Sequence, residues 1–314
     1  MRIVFLGTPE FAVASLKALV ENNFNVVGVV TMPDKKSGRG MKLQESAVKR
    51  YAIENSLTVL QPENLKDESF QFELKELNPD LQIIVAFRML PASVWQLPKY
   101  GTFNLHGSLL PNYRGAAPIN WAIMNGEKET GVTTFFLEHE IDKGEIIDFT
   151  KVEIGCNETA GELHDKLMSI GADLVIKTTR KIINGSVSTQ KQDDILQGEK
   201  PKLAYKIFKD TCRINWQDDV DDVYNTIRGL SPYPGAFSNL IFPDGKELGL
   251  KLFKAEKSEQ KLSTGKIKTD GRKVLYIGCG NGSIKVLELQ LAGKKRMLVQ
   301  NFLRGINLSK AVLK

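Results

Sequence analysis

Over the first 150 residues, short apolar runs alternate with amphipathic stretches, and that rhythm narrows the folds open to the chain more than any other feature. The runs at 3–6, 26–30, 58–60, 81–86, 102–104, 132–136 and 146–149 read as strands, and the stretches at 11–21, 44–54, 67–77 and 119–125 read as helices. Strands that alternate with helices predict a mostly parallel sheet with helices on both faces. At the first junction Thr8 is placed to cap a helix, Pro9 suits its first position, and Glu10 complements the positive end of its dipole. A longer helix is predicted over 158–184, because Leu163, Leu167, Ile170 and Leu174 fall on one face and Gly185 sits where a C-cap belongs.

Residues 186–204 are polar and lack periodicity, which predicts a linker between domains. A short helix over 220–229 follows, and then short strands broken by Pro243-Asp244-Gly245, Thr269-Asp270-Gly271 and Gly280-Asn281-Gly282. Asp-Gly and Asn-Gly between apolar runs are hairpin signals, so a small antiparallel barrel is expected. The chain thus divides into a first domain at 1–185, a linker at 186–204 and a second domain at 205–314. Its 314 residues suffice for two cores.

Cys156, Cys212 and Cys279 are odd in number, far apart and without C-x-x-C spacing. Neither a disulfide framework nor a zinc site follows, and they read as small buried apolar residues. The longest apolar runs are far shorter than the ~20 residues that span a bilayer, and Met1-Arg2 leads straight into a strand without a signal-peptide core. A cytoplasmic protein with no membrane partner is expected. The net charge of +6 is uneven: residues 201–314 hold 21 Lys and Arg against 11 Asp and Glu, and residues 1–200 hold 22 against 26. A basic C-terminal third is what a polyanion-binding surface needs. Lysines that merely keep a small domain in solution explain the same charge.

Candidate chemistry concentrates between Gly101 and Ile147. Asn104 and His106 leave the carboxyl end of a predicted strand, where open α/β sheets place their ligands. Two residues apart on extended chain, they can point to the same side. Asp142 lies on a loop that can return to the same crevice. An amide, an imidazole and a carboxylate suit acyl transfer to an amine. The amide N–H stabilises an oxyanion, the imidazole moves the proton, and the carboxylate orients the imidazole. On spacing alone, Asn104-x-His106 is more often a hydrogen-bonded turn, and an Asp before Lys143-Gly144 is a common turn residue.

The Asp34 to Leu43 segment reads as a flexible loop with four basic residues and two glycines. Lys35, Lys36 and Lys42 can neutralise phosphate, and Arg39 can make a forked contact; a solvated loop without a partner is the alternative. His139 and His164 read as surface histidines, and Trp95, Trp121 and Trp216 as packing residues. Gly7-Thr8-Pro9 joins a strand to a helix without the G-x-G-x-x-G spacing of dinucleotide sites.

Asn-Leu-His-Gly-Ser-Leu-Leu-Pro at 104–111, with Tyr113-Arg114-Gly115 and Asp142-Lys143-Gly144, resembles the formyltransferase family that uses 10-formyltetrahydrofolate. The resemblance implies an α/β fold class, a Rossmann-like doubly wound mostly parallel sheet followed by a smaller OB-like β-barrel domain. It also implies that Asn104, His106 and Asp142 are catalytic, and that Phe87, Arg88, Met89, Leu90, Ser108, Leu109, Leu110 and Pro111 line the folate pocket. Leu110-Pro111 is a candidate cis peptide. Further segments resemble the branch of the family whose acceptor is methionyl initiator tRNA. They are Gly7 to Phe11, Gly38-Arg39-Gly40, Gly115 to Ile119, Arg213 to Trp216, Pro232 to Ala236 and Ala292 to Met297. That branch implies 10-formyltetrahydrofolate as co-substrate, no metal, a monomer, and tRNA contacts from Lys35, Lys36, Arg39, Lys42 and the second domain. Asn215 stands where the family usually has Asp. An aminosugar acceptor predicts neither the basic loop nor the basic domain.

Overall fold

The structure, a computed structural model, describes residues 1–37, 42–308 and 311–313. Its elements run β1 (Arg2–Gly7), α1 (Glu10–Glu21), β2 (Asn25–Val30), β3 (Lys35–Ser37), β4 (Lys42–Gln44), α2 (Ala47–Glu54), β5 (Val59–Leu60), α3 (Glu68–Glu76), β6 (Leu81–Val85), α4 (Ala92–Trp95), β7 (Thr102–His106), β8 (Arg114–Gly115), α5 (Pro118–Met124), β9 (Glu129–Phe136), β10 (Ile146–Glu153), α6 (Ala160–Ile183), α7 (Gln192–Leu196) and β11 (Leu203–Ala204). They continue through a 3-10 turn to α8 (Val220–Gly229), β12 (Ala236–Ile241), β13 (Glu247–Ser258), β14 (Ile267–Thr269), β15 (Leu275–Cys279), β16 (Gly282–Leu291), β17 (Met297–Leu298), α9 (Val299–Leu303) and β18 (Val312–Leu313).

The first sheet has seven strands in the order β10-β9-β7-β6-β1-β2-β5. β7, β6, β1, β2 and β5 run parallel, and β9 joins β7 antiparallel. Register fixes which side chains share a face: Asn104 lies opposite Ile84, and Ile84 opposite Leu6. Ile84 and Leu6 pack with Phe70 and Leu74 of α3 and Val94 of α4. The other face of β7 belongs to α6, where Gly171 makes room for Leu105, since a Cβ there would come within 2.8 Å of it. Helices therefore cover both faces, as the alternating pattern predicts.

The second sheet is antiparallel, in the order β14-β15-β16-β13-β12-β18, with β17 against β16. Its two edges meet: Leu313 N–H donates to the Gly265 carbonyl at 3.0 Å, and Lys266 bridges Val312. Gly265, at φ +71°, allows that approach, because a Cβ would lie 2.6 Å from the Leu313 carbonyl oxygen. Val223 and Ile227 of α8 fill the interior with Leu240, Leu252, Ile284 and Val286. The Trp216 indole N–H is satisfied by Ser238 Oγ at 2.9 Å. All three expected hairpins form, joining β12 to β13, β14 to β15 and β15 to β16.

Some local expectations give way. Thr8 does not cap α1: Pro9 occupies the N-cap position, and Thr8 Oγ1 is buried with no partner among the described residues. Ser46 caps α2 instead, accepting from Lys49 N–H at 3.0 Å. Cys212 and Cys279 are buried, but Cys156 is exposed. Two compact units emerge, and neither is one stretch of chain: residues 116–129 and 153–163 belong with 204–314. Among the described residues no helix is long and apolar enough to cross a membrane.

Candidate active site

β6 and β7 are parallel neighbours, so the segments that follow them, 86–91 and 107–112, leave the same edge of the sheet. Asn104 and His106 stand on β7 itself, two residues apart and on one face. His106 is 6% exposed, with its ring edge-on to Phe135 at 6.5 Å. Its Nε2 lies 2.8 Å from the Tyr113 carbonyl. A carbonyl oxygen can only accept, so Nε2 carries a hydrogen and the neutral ring keeps its lone pair on Nδ1. The Asn104 carboxamide is half-buried and has no hydrogen-bond partner among the described residues.

Asp142 adopts a left-handed backbone at φ 54°, which Asp tolerates better than most non-glycine residues. Its carboxylate accepts the Gly115 N–H at 3.0 Å. Among the described residues the carboxylate and the imidazole are linked indirectly, through one short segment. His106 leans on Tyr113 and Asp142 on Gly115, two residues apart, a span of about 7 Å of extended chain at most. Arg114, between them, is buried, and burial pushes its guanidinium below the usual arginine range against the opposing pull of Asp193, Asp142 and Glu140. Its Nε and Nη2 donate to Gln192 Oε1 at 2.9 and 2.7 Å.

The segment after His106 is closed from within. Ser108 Oγ donates to the Asn112 carbonyl at 2.7 Å, and Thr133 Oγ1 donates to the Ser108 carbonyl at 2.7 Å while accepting the Leu110 N–H at 3.1 Å. Leu110-Pro111 is cis, as expected. Leu110 and Pro111 are buried and Leu109 half-buried. Beyond β6, Phe87 packs on the sheet core, Leu90 is buried and Met89 is 72% exposed. Arg88 donates to the carbonyls of Glu63 at 2.7 Å and Pro62 at 2.5 Å. Its Nε is buried with no partner among the described residues, and burial lowers its pKa. Arg88, Met89 and Leu90 line a cleft of about 800 Å³ with residues 63–66, Gln71 and 91–93. Of the eight expected pocket residues, Arg88, Met89 and Leu90 are among those lining that cleft.

Residues 1–179 match the family described as formyl transferase, and residues 206–307 match its C-terminal domain. The chain belongs to the formyl transferase family. It is 52% identical to a methionyl-tRNA formyltransferase of Bacteroides thetaiotaomicron, over 98% of this chain and 97% of the relative. It is 54% identical to one from Phocaeicola vulgatus, again over 98% and 97%. Among solved structures it resembles a sugar 3N-formyl transferase crystallised with dTDP and 5-N-formyl-THF. There the TM-score is 0.66 at 22% identity, over 94% of this chain and 99% of the other, a likeness of fold.

In this formyl transferase the basic segment is a hairpin at its base: Lys35 pairs with Gln44, Lys36 with Leu43, and Ser37 with Lys42. It leaves the carboxyl end of β2, on the edge of the sheet that β6 and β7 also leave. Asp34 anchors it, bonded to Lys49 at 2.5 Å and to Gln61 Nε2 at 2.8 Å, and the Lys49 hydrogen bond holds its carboxyl below the usual aspartate range. Lys35 and Lys36 are exposed. Arg39 lies outside the described residues, and Lys42 sits on β4. Sequence reasoning missed Gln192, Thr133 and the Tyr113 carbonyl. Thr133 sits in a run already read as a strand, and Gln192 in a stretch whose polarity hid it.

Proposed function

We propose that this formyl transferase moves the formyl group of 10-formyltetrahydrofolate onto the α-amino group of methionyl initiator tRNA, giving N-formylmethionyl-tRNA for translation initiation. The Asn104 carboxamide carries the reading. It is half-buried at the carboxyl edge of the sheet, beside His106 on one strand face, and has no hydrogen-bond partner among the described residues. Left open in that way, the amide is able to bond a ligand. Identity above 50% to methionyl-tRNA formyltransferases over nearly the whole of both chains supports the acceptor.

The bound donor supplies an electrophilic formyl carbon. Asn104 donates its Nδ2–H to the formyl oxygen as negative charge develops there. His106, with Nε2–H held by Tyr113, takes the proton of the attacking amine on Nδ1 and returns it to the departing nitrogen. The Asp142 carboxylate, fixed by the Gly115 N–H, completes the catalytic trio. An α-amino group has a reference pKa of about 7.7–8.0, so it needs positioning more than activation. Phe87, Arg88, Met89 and Leu90, with Ser108, Leu109, Leu110 and Pro111, hold the folate, and the unpartnered Arg88 Nε fits a polar ligand. Lys35, Lys36, Arg39 and Lys42 neutralise tRNA phosphate. Residues 1–185 carry the chemistry, 186–204 connect, and the basic 205–314 region grips the tRNA. The protein acts as a monomer in the cytoplasm.

Formyl-labelled donor, offered with methionyl initiator tRNA, uncharged tRNA, an aminosugar nucleotide and glycinamide ribonucleotide, tests the assignment. Label should appear on the charged tRNA; label on another acceptor instead overturns the reading. Asn104→Ala should lower turnover roughly 10²–10³-fold, the loss of one oxyanion donor, and leave tRNA affinity unchanged.

A further inference from the structure

Gln192 opens α7, in a stretch that lies between the two matched family regions. It is nonetheless 2% exposed. Its Oε1 accepts from Arg114 Nε and Nη2 at 2.9 and 2.7 Å, and its Nε2 donates to the Asp142 and Gly144 carbonyls at 2.8 and 2.9 Å. All four hydrogen-bonding sites of one carboxamide are thus used, two as donor and two as acceptor. The groups it joins neighbour those to which the proposed function gives a catalytic role. Arg114 separates the residue whose carbonyl meets His106 from the residue whose N–H meets Asp142, and the two carbonyls flank Lys143 on the loop that carries Asp142.

We propose that Gln192 is a positioning residue for formyl transfer, its amide locking the Asp142 loop to the Tyr113–Gly115 segment so that the carboxylate and the imidazole keep a fixed separation. The proposal rests on the function given above. The residue needs both halves of its amide. A carboxylate in its place still pairs with Arg114 but turns two lone pairs toward the Asp142 and Gly144 carbonyls. An apolar side chain abandons both sides and leaves the Arg114 charge buried without an acceptor. Loosening the loop by about 1 Å is enough to cost on the order of 10²-fold in rate.

The test uses the full chain with methionyl initiator tRNA and 10-formyltetrahydrofolate, comparing wild type, Gln192→Glu, Gln192→Leu and Asn104→Ala for kcat, KM and unfolding midpoint. Gln192→Glu is expected to lower kcat about 10–100-fold, with KM for both substrates within about threefold and a midpoint near that of wild type. The Gly115 amide should exchange with solvent faster in that variant while the barrel amides do not. Wild-type kcat in Gln192→Glu, or losses in both Gln192 variants that track the fraction of unfolded protein, overturn the proposal. Absence of labelled tRNA with the wild-type chain overturns the functional reading instead, and full turnover in Asn104→Ala overturns the role given to that residue.

Discussion

Asp270 caps the turn between β14 and β15 with one oxygen, Oδ1, which accepts N–H from Val274 at 3.0 Å, Lys273 at 2.7 Å and Arg272 at 2.9 Å. Those three bonds, Val274 first, hold its carboxyl at about 2, below the ordinary 3.8. A folded-state pKa below the unfolded one means that the charged form is what the fold favours. The stabilisation is complete above about pH 4 and is lost as pH falls toward 2. Asp270→Ala should lower the unfolding midpoint at pH 7, and its difference from wild type should shrink on acidification through that window. Thermal melts at a series of pH values check this, and a constant difference would refute it. At His106 a main-chain group fixes a tautomer instead: the Tyr113 carbonyl decides which ring nitrogen is left bare.

The loop between β9 and β10 shows how an element presents a side chain. Gly144 has no room for a Cβ, which would overlap the Phe136 carbonyl oxygen. Gly144→Ala must therefore push the loop outward and carry Asp142 with it. The expected outcome is a stability loss of about 1–3 kcal/mol and a drop in turnover larger than that instability explains, read from denaturant titration beside kcat. The seven strands of the first sheet, its longer helices and all three hairpins of the barrel were legible in the sequence, since periodicity and Asp-Gly or Asn-Gly turns are local signals. The short β3, β4, β8 and β11 and the short helices α4, α7 and α9 were not. Asn104, His106 and Asp142 were legible as motif residues. The link between His106 and Asp142 was not, because it runs through main-chain groups of Tyr113 and Gly115 that no side-chain pattern encodes. Gln192 was hidden for a related reason: polar residues without periodicity look solvated until tertiary contacts enclose them. The helix-start signal at Thr8 failed because the chain reaches Glu10 with Pro9 already in the cap position.

Across the whole molecule the informative quantity is the charge imbalance, with the basic excess confined to residues 201–314 and the hairpin near residue 35. If both regions meet phosphate, the logarithm of tRNA affinity should fall linearly with the logarithm of salt concentration. Lys35→Ala and Lys36→Ala should each flatten that slope by roughly one and leave kcat at saturating tRNA unchanged. Filter binding across a salt series measures it, and a slope indifferent to both substitutions would remove the hairpin from the interface. The barrel has a consequence of a different kind. Leu240 and Ile241 pair with Leu313 and Val312, and Gly265 receives the same short strand from the other side. Two residues thus act as the zip of the whole sheet. Were they cut away, the raw margins of β12 and of residues 265–266 would lie bare, and neighbouring molecules would be invited to stick to one another through them.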